Sequence, residues 1–130
     1  MPHLLAATGA AGVLISVHQR YGYALVAVLV IGALLSLWAV RDERRLPTVR
    51  AYLWLSFAAV TLQAVFGIAL LIAGRRPAEG LHLLYGPLTW VALPFALLLA
   101  RGPSARREAW ILAAGFTVAF LLAVRAIMTG

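Results

Sequence analysis

Residues 18–40 read HQRYGYALVAVLVIGALLSLWAV, and this stretch decides the fold. It carries a single charged residue, Arg20, and a helix that crosses a bilayer needs about 20 apolar residues. A second apolar stretch opens on the same pattern, because residues 82–86 repeat the His-x-x-Tyr-Gly of residues 18–22 after an interval of 64 positions. The sequence therefore predicts two membrane spans that begin with matching motifs.

Composition supports a membrane protein. The chain is 64% hydrophobic and 12% charged, with a mean hydropathy of +0.96, whereas a soluble domain is about 45–50% apolar and about 25% charged. It contains no cysteine, which excludes disulfides and thiolate-bound metal clusters. The net charge of +7 comes from arginines in short loops between apolar stretches, a pattern of membrane topology and not of nucleic-acid binding.

Breaks in the apolar pattern define four spans. A loop rich in arginine, with Pro47, follows the first span; a turn with glycine and proline follows the second; a second basic loop follows the third. The predicted fold is an all-α membrane bundle made of two helical hairpins, residues 18–130, with spans at 18–40, 51–73, 81–100 and 108–128.

Residues 1–17 are apolar and small, and they make the first apolar stretch too long for one span. We expect them to form an interfacial segment or a helical extension. A weak additional span over residues 4–19 is the alternative. No Lys or Arg precedes Arg20, so a cleavable secretory signal is not indicated.

The distribution of arginine predicts the orientation. Four arginines lie in residues 41–50 and three in residues 101–107, against two in residues 74–80. Loops rich in arginine stay in the cytoplasm. We therefore expect a multi-pass protein of the inner (plasma) membrane with both termini and residues 74–80 on the outer side.

The two matching motifs would bring His18 and His82 to the same depth in the bundle. Two neutral imidazoles from facing helices suit the iron of a b-type haem, one per bundle, that transfers electrons. The alternative is that both histidines lie at the level of the lipid headgroups without a ligand. His3, near the terminus, is expected to be unliganded.

Several neighbours of the pair are candidates for haem contacts. Gly22 and Gly86 follow the histidines by four positions, which places them on the same helix face, where a missing side chain leaves room for a macrocycle. Three arginines on the expected outer side are candidates for pairing the propionates. They are Arg20, Arg75 and Arg76.

Within the second span, Gln63 precedes Gly67 by four positions. A glutamine in lipid needs a hydrogen-bond partner, so it should face the bundle interior, beside a cofactor or in a bond between helices. No Asp or Glu lies inside a span except near its ends, which argues against a proton-coupled transporter.

The order of these motifs resembles one four-helix half of the haem A synthase family, over about residues 18–100. That family has eight spans in two halves, each with a histidine pair on the outer side. The resemblance implies that His18 and His82 are axial ligands and that Gln63 and Gly67 belong to the wall near the cofactor.

This chain departs from the family pattern at defined points. The family has a glutamate three positions before the first histidine of the half, where this chain has Ile15; Glu79 stands three positions before His82. Four spans give one haem-sized site, and a homodimer would restore eight helices. A catalytic part for Glu79 follows only if the chain acts like the synthase.

The sequence thus leaves three functions open. The leading expectation is a membrane electron carrier with one haem b, either on its own or as a subunit of a respiratory or photosynthetic complex. The first alternative is a structural or assembly subunit without a cofactor, and the second is a dimeric short enzyme like haem A synthase. The expected partners are the lipid bilayer, haem, and a second copy or other membrane subunits, and not nucleic acid.

Overall fold

The fold was taken from a computed structural model, which describes the backbone from Pro2 to Gly130 and the side chains from Gly9 onward. Four helices follow one another along the chain, joined by a short 3-10 turn, Glu43–Arg45, and by two loops. They are α1 (Pro2–Arg41), α2 (Leu46–Ile72), α3 (His82–Ala100) and α4 (Ala105–Thr129).

The expected all-α membrane bundle is confirmed. All four helices are long and apolar enough to cross a membrane, and the part of the chain that the structure describes contains no strand. Large apolar side chains are exposed on every helix, which suits a protein surrounded by lipid. Ile72 and Leu55, for example, are 82% and 65% exposed.

Helix α1 is longer than the first predicted span. Residues 9–17 continue the same helix ahead of His18, since nothing among them breaks a helix. At 1.5 Å per residue these nine residues add about 13 Å. The interfacial position of residues 1–17 stays a prediction, and the side chain of His3 lies outside the described residues.

Helix α2 begins earlier than predicted, at Leu46 and not near Ala51. The reason is Pro47, which the sequence analysis read as part of a loop. In the structure Pro47 occupies the first turn of α2, where a missing N–H leaves no hydrogen bond unmade and the fixed φ angle suits a helix. Similarly, α3 stays helical through both Pro87 and Pro94.

The four helices form a square in which α1 and α3 occupy one diagonal. Each of these two helices packs against both α2 and α4, and within the described residues their main chains do not approach each other. Glycines permit the closest packing: the ring of Phe116 lies against Gly32, and Ala96 lies against Gly115. The buried core runs between these contacts, with Phe116, Leu29 and Leu112 fully inside.

The two ends of the bundle differ in chemistry. The arginine end, with the 42–45 turn and the 101–104 loop, is held by an ion pair in which Arg50 on α2 donates two 2.6 Å hydrogen bonds to the carboxylate of Glu108 on α4. The Glu108 side chain is 6% exposed. The opposite end, called here the histidine end, carries His18, the 74–80 loop and the last turn of α4.

Candidate functional site: a histidine pair at one end of the bundle

The structure brings His18 and His82 into contact. Their ring centres lie 6.1 Å apart with the ring planes inclined at 67°, and both residues are half-buried. The two helices that carry them are diagonal neighbours, so the rings meet across the interior of the bundle and not along a helix–helix seam. The two imidazoles therefore lie next to each other inside the bundle, one from each diagonal helix.

His82 is positioned by main-chain groups. Its own N–H donates to the carbonyl of Glu79 at 3.1 Å, at the start of α3. Its Nδ1 lies 2.7 Å from the carbonyl oxygen of Ala126 on α4. A carbonyl only accepts hydrogen bonds, so in the neutral ring Nδ1 carries the proton and Nε2 keeps a free lone pair. This is the tautomer in which a histidine can bind a metal through Nε2.

The acceptor for His82 is available because it belongs to the last turn of a helix. Carbonyls there have no main-chain N–H of the next helical turn as a partner, and in a membrane each unmade bond is costly. Three are paired with other groups: Ala126 with the ring of His82 and the hydroxyl of Thr129, Ile127 with the N–H of Gly130, and Thr129 with the N–H of Glu79. The end of α4 and the start of α3 therefore hold each other in place.

His18 is positioned by packing and by its own main chain. Gln63 on α2 donates from Nε2 to the carbonyl oxygen of His18 at 3.0 Å. A Cβ atom at Gly67 would lie 3.4 Å from Cε1 of His18, so this glycine lets α2 pack against the imidazole. The ring nitrogen Nδ1 of His18 is buried, and no group from Gly9 onward forms a hydrogen bond with it.

The two glycines of the motifs have different surroundings. A Cβ at Gly22 would lie 3.2 Å from Nε2 of Gln63 and 3.7 Å from Ile127, so these side chains occupy the space that the sequence analysis assigned to a macrocycle. The glycine there admits the Gln63 amide, which reaches the His18 carbonyl over it. At Gly86 no atom of the described residues lies within 4 Å of such a Cβ, so the space on that side is open.

The charged candidates lie on the surface. Arg20, Arg75, Arg76 and Glu79 are exposed, and their side chains make no ion pair or hydrogen bond with residues 9–130. Glu79, three positions before His82, contributes its main-chain carbonyl to the N–H of His82, whereas the ring of His82 bonds to Ala126.

Sequence reasoning missed the contributions of α4 to this site. Besides Ala126, Gly130 packs against the ring of His82, where a Cβ would approach Nδ1 to 2.9 Å. Arg125 lies over the ring of Tyr85 with 5.6 Å between the guanidinium carbon and the ring centre. Neither a main-chain acceptor nor a glycine contact leaves a mark in the residue pattern. The sequence did show that all three residues lie at the end of the fourth span, at the same expected depth as the two histidines.

A surface groove of about 280 Å³ lies at the arginine end, far from the histidines, between Trp38 on α1 and Trp110 on α4. Its lining contains no histidine and no carboxylate, so it offers no group for metal binding or for acid–base chemistry. The histidine pair is the better candidate for a functional site.

Comparison of the chain with protein-family models, with curated proteins and with solved structures gives no match.

Proposed function

We propose that this protein is a b-type haem-binding bundle that transfers electrons in a membrane, with His18 and His82 as the two axial ligands. The observation that carries the proposal is the 6.1 Å separation of the two imidazole centres. Two imidazoles that bind one metal ion from opposite sides, through bonds of about 2 Å each, have ring centres roughly 6 Å apart. The rings therefore already have the spacing that a shared metal ion requires.

The set of donor groups favours haem over a bare ion. Among the residues that the structure describes, no group of three or more His, Asp, Glu or Cys side chains could hold a metal ion together. A protein-bound zinc ion takes three or four protein ligands, which this site does not supply. Haem iron receives its other four ligands from the porphyrin, so two histidines suffice.

The surroundings of His82 also favour metal binding. Its Nδ1–H is held by the Ala126 carbonyl, and metal-binding histidines nearly always donate their second N–H in this way. On the side of Gly86 there is open space for a flat group, whereas on the side of Gly22 the Gln63 amide closes the site. A haem in this bundle would therefore lie toward Gly86.

Each residue would have a distinct part in this function. Haem, when bound, supplies a centre that gains and loses one electron. His18 and His82 would hold its iron, and Gln63 would fix the main chain of His18. The exposed guanidinium groups of Arg20, Arg75 and Arg76 are free to pair with propionates or with lipid phosphates.

The chain is a multi-pass membrane protein, and we further propose its orientation. The arginine end carries seven arginines (Arg41, Arg44, Arg45, Arg50, Arg101, Arg106, Arg107), against four at the histidine end (Arg20, Arg75, Arg76, Arg125). The larger number faces the cytoplasm of a cell with an inner membrane, so both termini and the histidine pair lie near the outer face. Electrons would then be exchanged near that face, with a second copy or another membrane subunit as partner.

One observation favours the alternative of a structural subunit without a cofactor. Gln63 and Ile127 fill the space beside Gly22, so that part of the bundle is closed without any guest. In that case the imidazole of His82 would join α3 to α4 through Ala126, and the main chain of His18 would join α1 to α2 through Gln63. A visible spectrum distinguishes the two functions.

The test is a dithionite-reduced-minus-oxidised spectrum of the detergent-purified protein, produced with haem supplied. A sharp b-type α-band supports the proposal. His18→Ala and His82→Ala should each alter or abolish that band, and His3→Ala should leave it unchanged. A flat spectrum from a folded, haem-supplied protein would refute haem binding and leave the structural alternative.

The function of a short synthase has its own test. Extracts of cells that make the protein would be examined for haem A and its hydroxylated precursor, next to cells that make the Glu79→Gln variant. Neither pigment is expected if the protein is an electron carrier.

A further inference from the structure

The two imidazoles of the pair are held unequally. The ring of His82 is fixed by a 2.7 Å hydrogen bond to the Ala126 carbonyl and by packing against Gly130. Within the described residues, the ring of His18 is held by packing against Gly67 and His82 and not by a hydrogen bond, because the bond from Gln63 goes to its main chain. Its buried Nδ1 has no hydrogen-bond partner in the described part of the chain.

This difference has a consequence for metal binding. A histidine whose second N–H is bound by an acceptor is a better ligand, because the bond orients the ring and raises its basicity; losing such a partner typically costs about 10- to 100-fold in metal affinity. His82 has this support. For His18 to offer Nε2, its Nδ1 must carry a proton that is buried without an acceptor, which is unfavourable.

The helix end adds to the inequality. The Ala126 carbonyl belongs to the last turn of α4, where the helix dipole places partial negative charge. That charge strengthens the bond from Nδ1–H and makes Nε2 of His82 more electron-rich. The carbonyl oxygen of His18, by contrast, lies in the interior of α1 and not at a helix end.

We propose that His82 would hold a bound haem permanently and His18 would hold it exchangeably, so that the haem, when reduced, would accept a neutral diatomic molecule in place of His18. This inference rests on the proposed haem function. Beside Gly86, one turn after His82, no atom of the described residues lies within 4 Å of the Cβ position, which leaves space for a small molecule. The bundle would then bind a gas as well as carry an electron.

The experiment compares His18→Ala with His82→Ala, using carbon monoxide as the probe. We expect His82→Ala to lose haem at least tenfold more readily than His18→Ala in a transfer assay with a haem-accepting protein. Reduced His18→Ala should keep its haem with one ligand position empty. Carbon monoxide should bind there at once, and imidazole added in a separate sample should restore a six-coordinate spectrum. Reduced wild-type protein should bind carbon monoxide more slowly, because His18 must leave first.

Two further variants guard against effects on folding. His18→Gln and His82→Gln keep a side chain of similar size, and helix content measured by circular dichroism should match that of the wild-type protein. The same order of haem loss is expected in this pair.

Three results would overturn the inference. If wild-type protein holds haem but the two alanine variants lose it equally, only the inference fails. If His18→Ala loses haem more readily than His82→Ala, the assignment is reversed and again fails. If wild-type protein binds no haem, the proposed function fails and the inference fails with it.

Discussion

Gln63 reaches from α2 to α1 and donates a 3.0 Å hydrogen bond to the carbonyl oxygen of His18, passing over the bare Cα of Gly22. The amide's other polar atom, Oε1, is buried and has no hydrogen-bond partner among the described residues. One bond is gained and one acceptor is left unsatisfied, so the side chain contributes little net stability. Its position beside His18 suggests that it orients the histidine.

The first prediction replaces Gln63 with Met, which has a similar length and no amide. The lost hydrogen bond, worth about 0.6 kcal/mol in a membrane bundle, is offset by the removal of the unsatisfied oxygen. We expect the free energy of unfolding without haem to change by less than about 1 kcal/mol, while the reduced protein binds carbon monoxide several-fold faster, because His18 is held less firmly. Thermal unfolding and the rate of carbon monoxide binding measure the two effects.

The matched control for Gln63→Met is Thr117→Val, which removes a hydroxyl bonded only to the carbonyl of Ala113 on its own helix. It should change neither the rate of carbon monoxide binding nor the unfolding midpoint. A wild-type rate of carbon monoxide binding in Gln63→Met would show that the amide does not position His18.

The second prediction concerns the ion pair at the arginine end. The side chain of Glu108 is 6% exposed and that of Arg50 is 52% exposed. Removing Arg50 leaves a buried carboxylate without a partner, whereas removing Glu108 leaves a guanidinium that can reach water. Arg50→Ala should therefore cost roughly 3 kcal/mol and Glu108→Ala roughly 1 kcal/mol.

Unfolding in mixed SDS micelles would measure this order. The double variant should resemble Glu108→Ala, since no buried charge is left. Arg44→Ala is the control, because the Arg44 side chain is 94% exposed and its pair with Asp42 lies at the surface. Equal losses from the two single variants would contradict the unequal burial of the pair.

The third prediction tests the close contact between α1 and α4. Gly32 is buried against the ring of Phe116, and a Cβ at this position would overlap the ring. Gly32→Ala gains helix propensity of up to about 1 kcal/mol, but overpacking in a core costs about 1–3 kcal/mol. We expect a net loss of stability, measured as a lower unfolding midpoint.

Two comparison variants test whether the overlap with Phe116 causes the loss of stability in Gly32→Ala. In Gly12→Ala, on the same helix, the added Cβ would meet no atom of the described residues within 4 Å, so this change should not lower the midpoint. Adding Phe116→Leu to Gly32→Ala should recover part of the loss by making room. If Gly32→Ala is as stable as Gly12→Ala, the two helices are less closely packed than the structure has them.

The fold could be predicted from the sequence because each span is long, apolar and bounded by arginine, glycine or proline. Helix limits were less predictable. Pro47 is compatible with a loop and with a first helical turn, and only the packing of α2 decides between them. Similarly, nothing in residues 9–17 marks an end, so α1 continues past the length that a membrane needs.

The histidine pair could also be predicted, since the 64-position repeat places matching motifs on α1 and α3. The groups that hold the rings could not be predicted in the same way. Ala126 contributes a carbonyl that every residue possesses, and only its place at the end of α4 makes that carbonyl available. Arg50 and Glu108 are 58 positions apart, and no periodicity relates them.

The fourth prediction concerns orientation, and the absence of cysteine makes it accessible. Single cysteines would be introduced at exposed positions of the two ends: Ala78→Cys in the loop at the histidine end, and Arg106→Cys near the start of α4. A membrane-impermeant maleimide added to intact cells should label Ala78→Cys and spare Arg106→Cys. After the membrane is broken, both should react.

The physical reason is that arginine-rich loops are retained in the cytoplasm, so the end with seven arginines faces inward. Arg106→Cys removes only one of these, which leaves the excess over the other end intact. A further variant reverses the charge difference between the two ends, by adding three arginines to residues 74–80 and removing those at 101, 106 and 107. This variant should weaken or invert the labelling pattern. Labelling of Arg106→Cys in intact cells would reverse the orientation and place the histidine pair at the cytoplasmic face.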